Sequence, residues 1–229
     1  MNTPYTNYAL KKGWLSVLFQ YSVTEESTFN KCIGKVRRET NSSLLDIGFG
    51  SGALLAWAQD NGYSISGIEL QKDLAAAAEK RGVRVYDSCN EAPPMSQDVI
   101  TMFDLLEHLD REEINQNLSS AYTALKPGGL IIIRVPNCQS PLGMRLQLAD
   151  HTHKTMLSAP ILENYLSIAG FKHVTASSDH ESAKRSNLFK SSIAVVQLCI
   201  RRVLYFSVKS IFSLGATPLT PNILVKAKK

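Results

Sequence analysis

Between Leu44 and Leu70 the chain reads LLDIGFGSGALLAWAQDNGYSISGIEL. A short apolar run leads into Gly48, Gly50 and Gly52, a helical segment follows, and a second apolar run ends at Glu69. Glycines at a strand-to-helix turn open backbone conformations closed to other residues and let a ligand approach the main chain. The helix beyond offers unpaired N–H groups and the positive end of its dipole. An acidic side chain about 20 residues further on, after the next strand, accepts from ribose hydroxyls. Glu69 has that spacing. The stretch is expected to hold an adenosine-like ligand at the carboxyl ends of parallel strands.

Read as Gly48-x-Gly50-x-x-Ala53, the turn also fits a dinucleotide fingerprint. Four features favour another ligand. Asp46, two residues before Gly48, is placed to meet a cofactor ammonium, whereas a pyrophosphate has no use for a carboxylate there. Asp87 follows the third strand, where it meets an adenine amino group. Leu125-Lys126-Pro127-Gly128-Gly129 stops a helix and turns into a strand. The chain ends in a strand hairpin instead of a second mononucleotide half.

Two histidine-bearing segments lie where a second reactant belongs. The fourth strand runs into Asp104-Leu105-Leu106-Glu107-His108, and Asp150-His151-Thr152-His153-Lys154 follows the fifth. Histidine removes a proton near neutral pH, as a hydroxyl acceptor requires. His108, His151 and His153 are the candidate catalytic bases; a structural hydrogen bond in a capped turn is the other reading of His108. His151 and His153 are too closely spaced to face alike on a helix, but a loop presents either. Glu107, His108, Asp150, His151 and His153 are all competent metal ligands. No established spacing joins them, so a metal-free base is the simpler expectation. His173 and His180 take ordinary roles on or beside a strand. Cys32, Cys89, Cys138 and Cys199 are scattered without a CxxC pair, which points to a reducing compartment and away from a zinc site or disulfides.

The elements that position these groups alternate. Leu44–Ile47, Ser64–Glu69, Val83–Tyr86, Asp98–Met102, Leu130–Val135, Phe171–Ala176 and Asn222–Ala227 read as strands. Ala53–Gln59, Lys72–Arg81, Arg111–Leu125 and Ala159–Ala169 read as helices, the last stopped at Gly170. This order predicts a Rossmann-like three-layer α/β sandwich: a mostly parallel seven-stranded sheet with a C-terminal antiparallel hairpin. Residues 1–42 read as a helical lead-in or cap and 43–229 as one domain. A hydrophobic content of 44% suits a globular core. The N-terminal residues lack a signal-peptide pattern, and no run approaches the ~18 apolar residues of a spanning helix.

The net charge of +5 is unevenly placed. From Ser182 to Lys229 there are nine Lys/Arg and no Asp/Glu. Within this tail, residues 186–213 contain no Gly or Pro and read as a basic amphipathic helical insert. Lys190, Gln197, Arg201, Arg202 and Lys209 gather on one side; Phe189, Ile193, Val196, Ile200, Val203, Leu204 and Ile211 gather on the other. Packing over the sheet or in a homodimer is the commonest fate of such a helix. Peripheral contact with an anionic inner-membrane surface is the second reading, and a cover over the acceptor pocket is a third. Nucleic acid is disfavoured, because aromatic and basic residues do not interleave.

Taken together, DIGFGSG, GIEL, YDS, LLEHL and LKPGGLIIIRVPN resemble the class I S-adenosylmethionine-dependent methyltransferases, over about residues 43–180 and the final strand. The nearest likeness is the branch found with bacterial polysaccharide biosynthesis and related to quinone O-methyltransferases. The resemblance implies S-adenosyl-L-methionine as cofactor. It puts Asp46, Gly48, Gly50 and Gly52 around the methionine part, Glu69 with Leu70 at the ribose, and Asp87 with Ser88 at the adenine. Phe103 is implied near the cofactor after the fourth strand. The implied activity is O-methylation of a sugar, glycan precursor or other small hydroxylated metabolite by a cytoplasmic protein. The Asn/Asp-Pro-Pro-aromatic sequence of adenine-amino methyltransferases is absent. A nicotinamide-dependent oxidoreductase would explain the glycines and Glu69 but not Asp46, Asp87 or the hairpin. A non-catalytic cofactor-binding or membrane-associated regulatory protein would keep the glycine site yet tolerate loss of His108, His151 and His153.

Overall fold

Apolar runs bounded by turns become the strands of one sheet in the computed structural model, which describes residues 12–34, 41–179, 188–211 and 218–229. The strands are β1 (Ser43–Ile47), β2 (Ser64–Ile68), β3 (Arg84–Tyr86), β4 (Gln97–Phe103), β5 (Leu125–Pro136), β6 (Lys172–Ser178) and β7 (Asn222–Lys228). Their order is β3-β2-β1-β4-β5-β7-β6. Strands β1 to β5 pair in parallel, and β7 runs antiparallel between β5 and β6. The expected mostly parallel sheet with an antiparallel end is therefore what the chain forms.

Seven α-helices accompany the strands among the described residues: α1 (Val23–Cys32), α2 (Ala53–Asp60), α3 (Lys72–Glu79), α4 (Arg111–Ala124), α5 (Pro141–Ala149), α6 (Ala159–Ile168) and α7 (Leu188–Ile211). Successive strand residues point to opposite faces, and this splits the core into two layers. Leu45, Ile131 and Ile133 pack with Ile114, Leu118, Leu162 and Leu166 of α4 and α6 on one face. Leu44 and Ile132 pack with Phe29, Leu55, Trp57 and Leu74 of α1, α2 and α3 on the other. Burying each such side chain contributes about 1.5–3 kcal/mol. Helices α1 and α4 begin with capping boxes, Ser22 with Glu25 and Asp110 with Glu113.

Three expectations are corrected. First, Leu125–Gly129 is not a turn before the strand, because β5 begins at Leu125 itself. The register with β4 shifts between Gln97 and Val99, and the loosened backbone finds other partners. The Gly128 N–H donates to the Lys229 carbonyl at 3.1 Å, and the Lys229 N–H donates to Gly129 at 3.0 Å. Second, α5 is an added helix between β5 and the histidine loop. Its signal was present in the sequence: Ser140 caps the N-terminus and Pro141 opens the first turn.

Third, the helix of the basic insert does not cover the sheet. Ile193, Val196, Ile200, Val203, Leu204 and Ile211 of α7 are all exposed, and among its described side chains only Ala194 is buried. Among the described residues, α1 to α3 cover the core of one face of the sheet and α4 with α6 that of the other. The outer parts of the 186–213 insert, and His180, lie outside the described residues.

Candidate active site

Cross-strand pairing sets the first polar group of the site. Asp46 on β1 lies beside Thr101 on β4. Both are buried, and the Thr101 hydroxyl donates to Asp46 Oδ1 at 2.7 Å. Immediately after β1 the chain turns through Gly48 (φ 75°) and Gly50 (φ 54°), conformations that side chains rarely adopt. The Gly48 N–H donates to the Ile68 carbonyl at 2.8 Å, which folds the turn back over the end of β2. There Glu69 accepts from the Gly50 N–H at 3.0 Å and from the Gln71 N–H at 2.9 Å. The turn thus orients the acid that the spacing assigned to the ribose.

These groups line a cleft of about 1020 Å³ at the carboxyl ends of the parallel strands. This is at the upper end of the range of about 300–1,000 Å³ for small-molecule pockets. Asp46, Gly48, Gly50, Glu69, Leu70, Asp87, Ser88 and Phe103 all reach the cleft. Asp87 and Leu70 are exposed at its mouth. Gly52 does not line it: this residue starts α2, and the Phe19 ring lies where a Cβ would point. Burial raises the Asp46 carboxyl to about 7, opposed by the Thr101 hydrogen bond and reinforced by nearby Glu69. Burial likewise raises Glu69, against the backbone hydrogen bonds from Gln71 and Gly50.

His108 and His153 line the same cleft. A short 3-10 turn, Leu106–His108, follows β4 and buries both Glu107 and His108. The loop after α5 returns to it: Lys154 N–H and Thr155 N–H donate to the Glu107 carbonyl at 2.7 and 3.1 Å. That docking sets the His153 ring edge-on to His108, with centroids 4.6 Å apart. His151 is left outside. Its side chain is 73% exposed, with Nδ1 3.9 Å from Asp150, and it does not line the cleft.

The hydrogen bonds fix which nitrogen of each ring carries the proton. His153 Nδ1 lies 3.0 Å from the Gln147 carbonyl, which only accepts, so Nδ1 donates and the lone pair is on Nε2. Thr152 donates its single hydroxyl proton to Asp150 Oδ1 at 2.6 Å, so it accepts from His108 Nδ1 at 2.9 Å. His108 therefore also has its lone pair on Nε2. Burial, then neighbouring His153, lowers the His108 imidazole below its ordinary value. Burial, then Asp104, holds Glu107 well above the carboxylate range. Replacing Thr152 by Val should shift the His108 tautomer ratio about two- to tenfold, the worth of one net hydrogen bond. Imidazole 15N chemical shifts report that ratio, and unchanged shifts would break the His108–Thr152–Asp150 chain.

Three further groups at the cleft were not singled out from the sequence. Arg134 on β5 forks onto Asp104, with Nε to Oδ1 at 3.0 Å and Nη2 to Oδ2, and stacks 4.9 Å above the Phe103 ring. A lone arginine within LIIIRVP was a legible signal, since a charge in a buried strand requires a partner. Trp14 lies on the glycine turn, its ring within 3.2 Å of the position a Gly50 Cβ would take. Lys12 reaches across to Asp150 at 3.0 Å. Neither contact has a local sequence pattern.

Comparison with known proteins agrees with this arrangement. Residues 26–176 match a family model described as a methyltransferase domain. An uncharacterized protein of Methanocaldococcus jannaschii is 30% identical over 138 residues, 58% of this chain; the match spans 65% of that relative's length. The fold is similar to that of a SAM-dependent methyltransferase from Archaeoglobus fulgidus (TM-score 0.68, 23% identity, 90% of this chain and 93% of that one). It is also similar to a possible histamine N-methyltransferase from Thermotoga maritima (0.62, 18%, 97% and 96%). A third similar structure is phosphoethanolamine N-methyltransferase 2 of Haemonchus contortus in complex with S-adenosyl-L-methionine (0.61, 19%, 99% and 57%). Because the family model spans well over half of the chain and includes β1 through most of β6, the protein belongs to the methyltransferase-domain family.

Proposed function

We propose that this protein transfers a methyl group from S-adenosyl-L-methionine to a hydroxyl of a sugar, glycan precursor or other small hydroxylated metabolite. One observation carries the reading: the glycine turn, Asp46, Glu69 and the imidazole pair all line a single cleft. The residues present suit the cofactor's chemistry. Asp46 would offer a carboxylate to the ammonium, the glycine turn would admit close approach, and Glu69 would accept from the ribose diol. When bound, the cofactor would supply a methyl carbon on cationic sulfur, whose C–S bond would break as the acceptor C–O bond formed, with a thioether as leaving group and a proton released from the hydroxyl.

The chain's own task is alignment and handling of that proton. In-line displacement gains most of its rate from positioning, which the rigid strand ends supply. A hydroxyl must lose its proton, and this gives the imidazole pair a purpose; a neutral amine needs no such help. The nicotinamide reading is not favoured, because β5-β7-β6 closes the sheet where a second mononucleotide half would begin. The test is calorimetric titration with S-adenosylhomocysteine and, separately, NADH, followed by a labelled-methyl assay on hydroxyl and amine acceptors. Saturable binding of the first ligand alone is expected, with label on the hydroxyl acceptors. NADH binding alone, or label confined to amines, would overturn it.

The exposed apolar residues of α7, beside exposed Arg201 and Arg202, support a second part of the reading. We place this helix on an anionic membrane surface, at the cytoplasmic face where a glycan precursor on a lipid carrier would be met. Among the described residues, no helix is long and apolar enough to cross a membrane. The parent protein is expected to co-sediment with anionic vesicles, and charge removal at Arg201, Arg202 and Lys209 to release it. Absence of vesicle binding, with a concentration-dependent dimer instead, would assign the helix to a homodimer interface.

A further inference from the structure

We propose that Glu107, His108 and His153 form a binding site for one divalent first-row transition-metal cation on the acceptor wall of the cleft. Each residue brings one donor atom, and these atoms all lie within 4.8 Å of one another. Ligand bonds of about 2.0–2.2 Å gather three donors after an inward shift of the order of 1 Å. Two imidazoles and one carboxylate are a donor set suited to zinc, iron, cobalt or nickel rather than to calcium or magnesium.

The Glu107 carboxylate is an independent indication. Glu107 is 1% exposed, and its Oε2 has no hydrogen-bond partner among the described residues. A buried carboxyl oxygen without a partner is costly, and a cation that displaces the carboxyl proton supplies one. The protein's own cations near the cleft are engaged elsewhere: Arg134 with Asp104, Lys12 with Asp150, and Lys154 with Glu113 at 3.3 Å. Glu107 instead faces the His108 and His153 imidazoles.

The surroundings of the imidazoles also match a ligand role. Metal-bound histidine typically gives its other ring N–H to a carbonyl or carboxylate, which fixes the ring and its tautomer. His153 Nδ1 does so to Gln147, and His108 Nδ1 does so to Thr152, which passes the bond to Asp150. Of the five ligand-competent residues named in the two histidine-bearing segments, Asp150 is thus an outer supporting group and His151 is excluded by its exposure.

All three ligands line the cleft beside Leu109 and Lys154, so remaining coordination positions face the acceptor space. A catalytic cation keeps such positions open and acidifies a bound hydroxyl, whose proton passes to solvent water. The cation takes over at the imidazole pair the task that free imidazole would otherwise perform. This assigned task rests on the methyl-transfer reading; binding of the cation does not.

The test is titration of the full chain, stripped with chelator, with cobalt(II) followed by its visible ligand-field absorption, and with zinc followed by calorimetry. One ion per chain is expected. Glu107→Gln and His153→Ala should each weaken cobalt binding at least about tenfold, while His151→Ala leaves it unchanged. Melting curves identify any variant that fails to fold, and the conservative Glu107→Gln keeps the experiment decisive if His153→Ala does. No saturable cobalt binding, or binding indifferent to both variants, would overturn the site. S-adenosylhomocysteine titration on the same preparations separates the two ideas. Cofactor binding without cobalt binding removes the metal site alone, and cobalt binding without cofactor binding supports the site while removing methyl transfer as its use.

Discussion

Asp46→Asn is expected to weaken S-adenosylhomocysteine binding about 10- to 100-fold, the worth of a hydrogen bond to a charged group. The substitution keeps the shape and still accepts from Thr101, so the fold should persist. The parent protein should also show the charge directly in its pH dependence. Burial raises the Asp46 carboxyl to about 7, with Glu69 adding to the shift and the Thr101 bond and Arg134 opposing it. Below that value the carboxyl is neutral and offers no counter-charge to the cofactor ammonium. Affinity should therefore rise with pH through about 7, by up to about tenfold per pH unit on the acid side, and then level off. Asp46→Asn should remove that contribution. Parent-like affinity in the variant at about pH 8, where the parent carboxyl is ionised, would take Asp46 out of the site.

Gly143→Ala is expected to be among the most damaging single-methyl changes in the described structure. Gly143 sits in α5, yet its Cα lies against the main chain of Asn137 beyond β5. An added Cβ would collide with the Asn137 carbonyl oxygen and come within 2.6 Å of its carbonyl carbon and 2.7 Å of its nitrogen. Asn137 cannot move aside. Its N–H donates to Pro221, and its side-chain amide donates to Pro218 and Thr220 at 2.8 and 3.2 Å. The helix must shift instead, and with it the Gln147 carbonyl that holds His153. A loss of about 3 kcal/mol follows from such overpacking, or a fall in Tm of about 6–12 °C for a chain of this size. A melting curve decides, and a shift under about 2 °C would show that α5 slides freely over β5.

Helix α5 also shows where a local reading stops. Ser140-Pro141 announced its start, but nothing near Gly143 announced Asn137, because that contact joins a helix to the end of the preceding strand. The Leu125–Gly129 segment is similar: read alone it is a turn, and pairing with Lys229 makes it part of the sheet. In α7, the two-sided pattern was legible. That other helices cover the core of the sheet was not, since this depends on where α1 to α4 and α6 pack.

By itself the sequence determined the alternation of strands and helices, and hence the parallel sheet with its antiparallel end. It also determined the order Asp46, Gly48, Gly50, Glu69 along one strand-turn-helix-strand unit. Those features are local: period, turn chemistry and spacing within about 25 residues encode them. Only the tertiary structure brought His153 to Glu107 and His108, put Thr152 between His108 and Asp150, paired Arg134 with Asp104, and left His151 in solvent. The three contacts join segments about 30 to 45 residues apart, and the adjacency of β4 and β5 decides where those segments meet. A donor's chemistry is written in its side chain, but its partners are set by the packing of the strands that carry it.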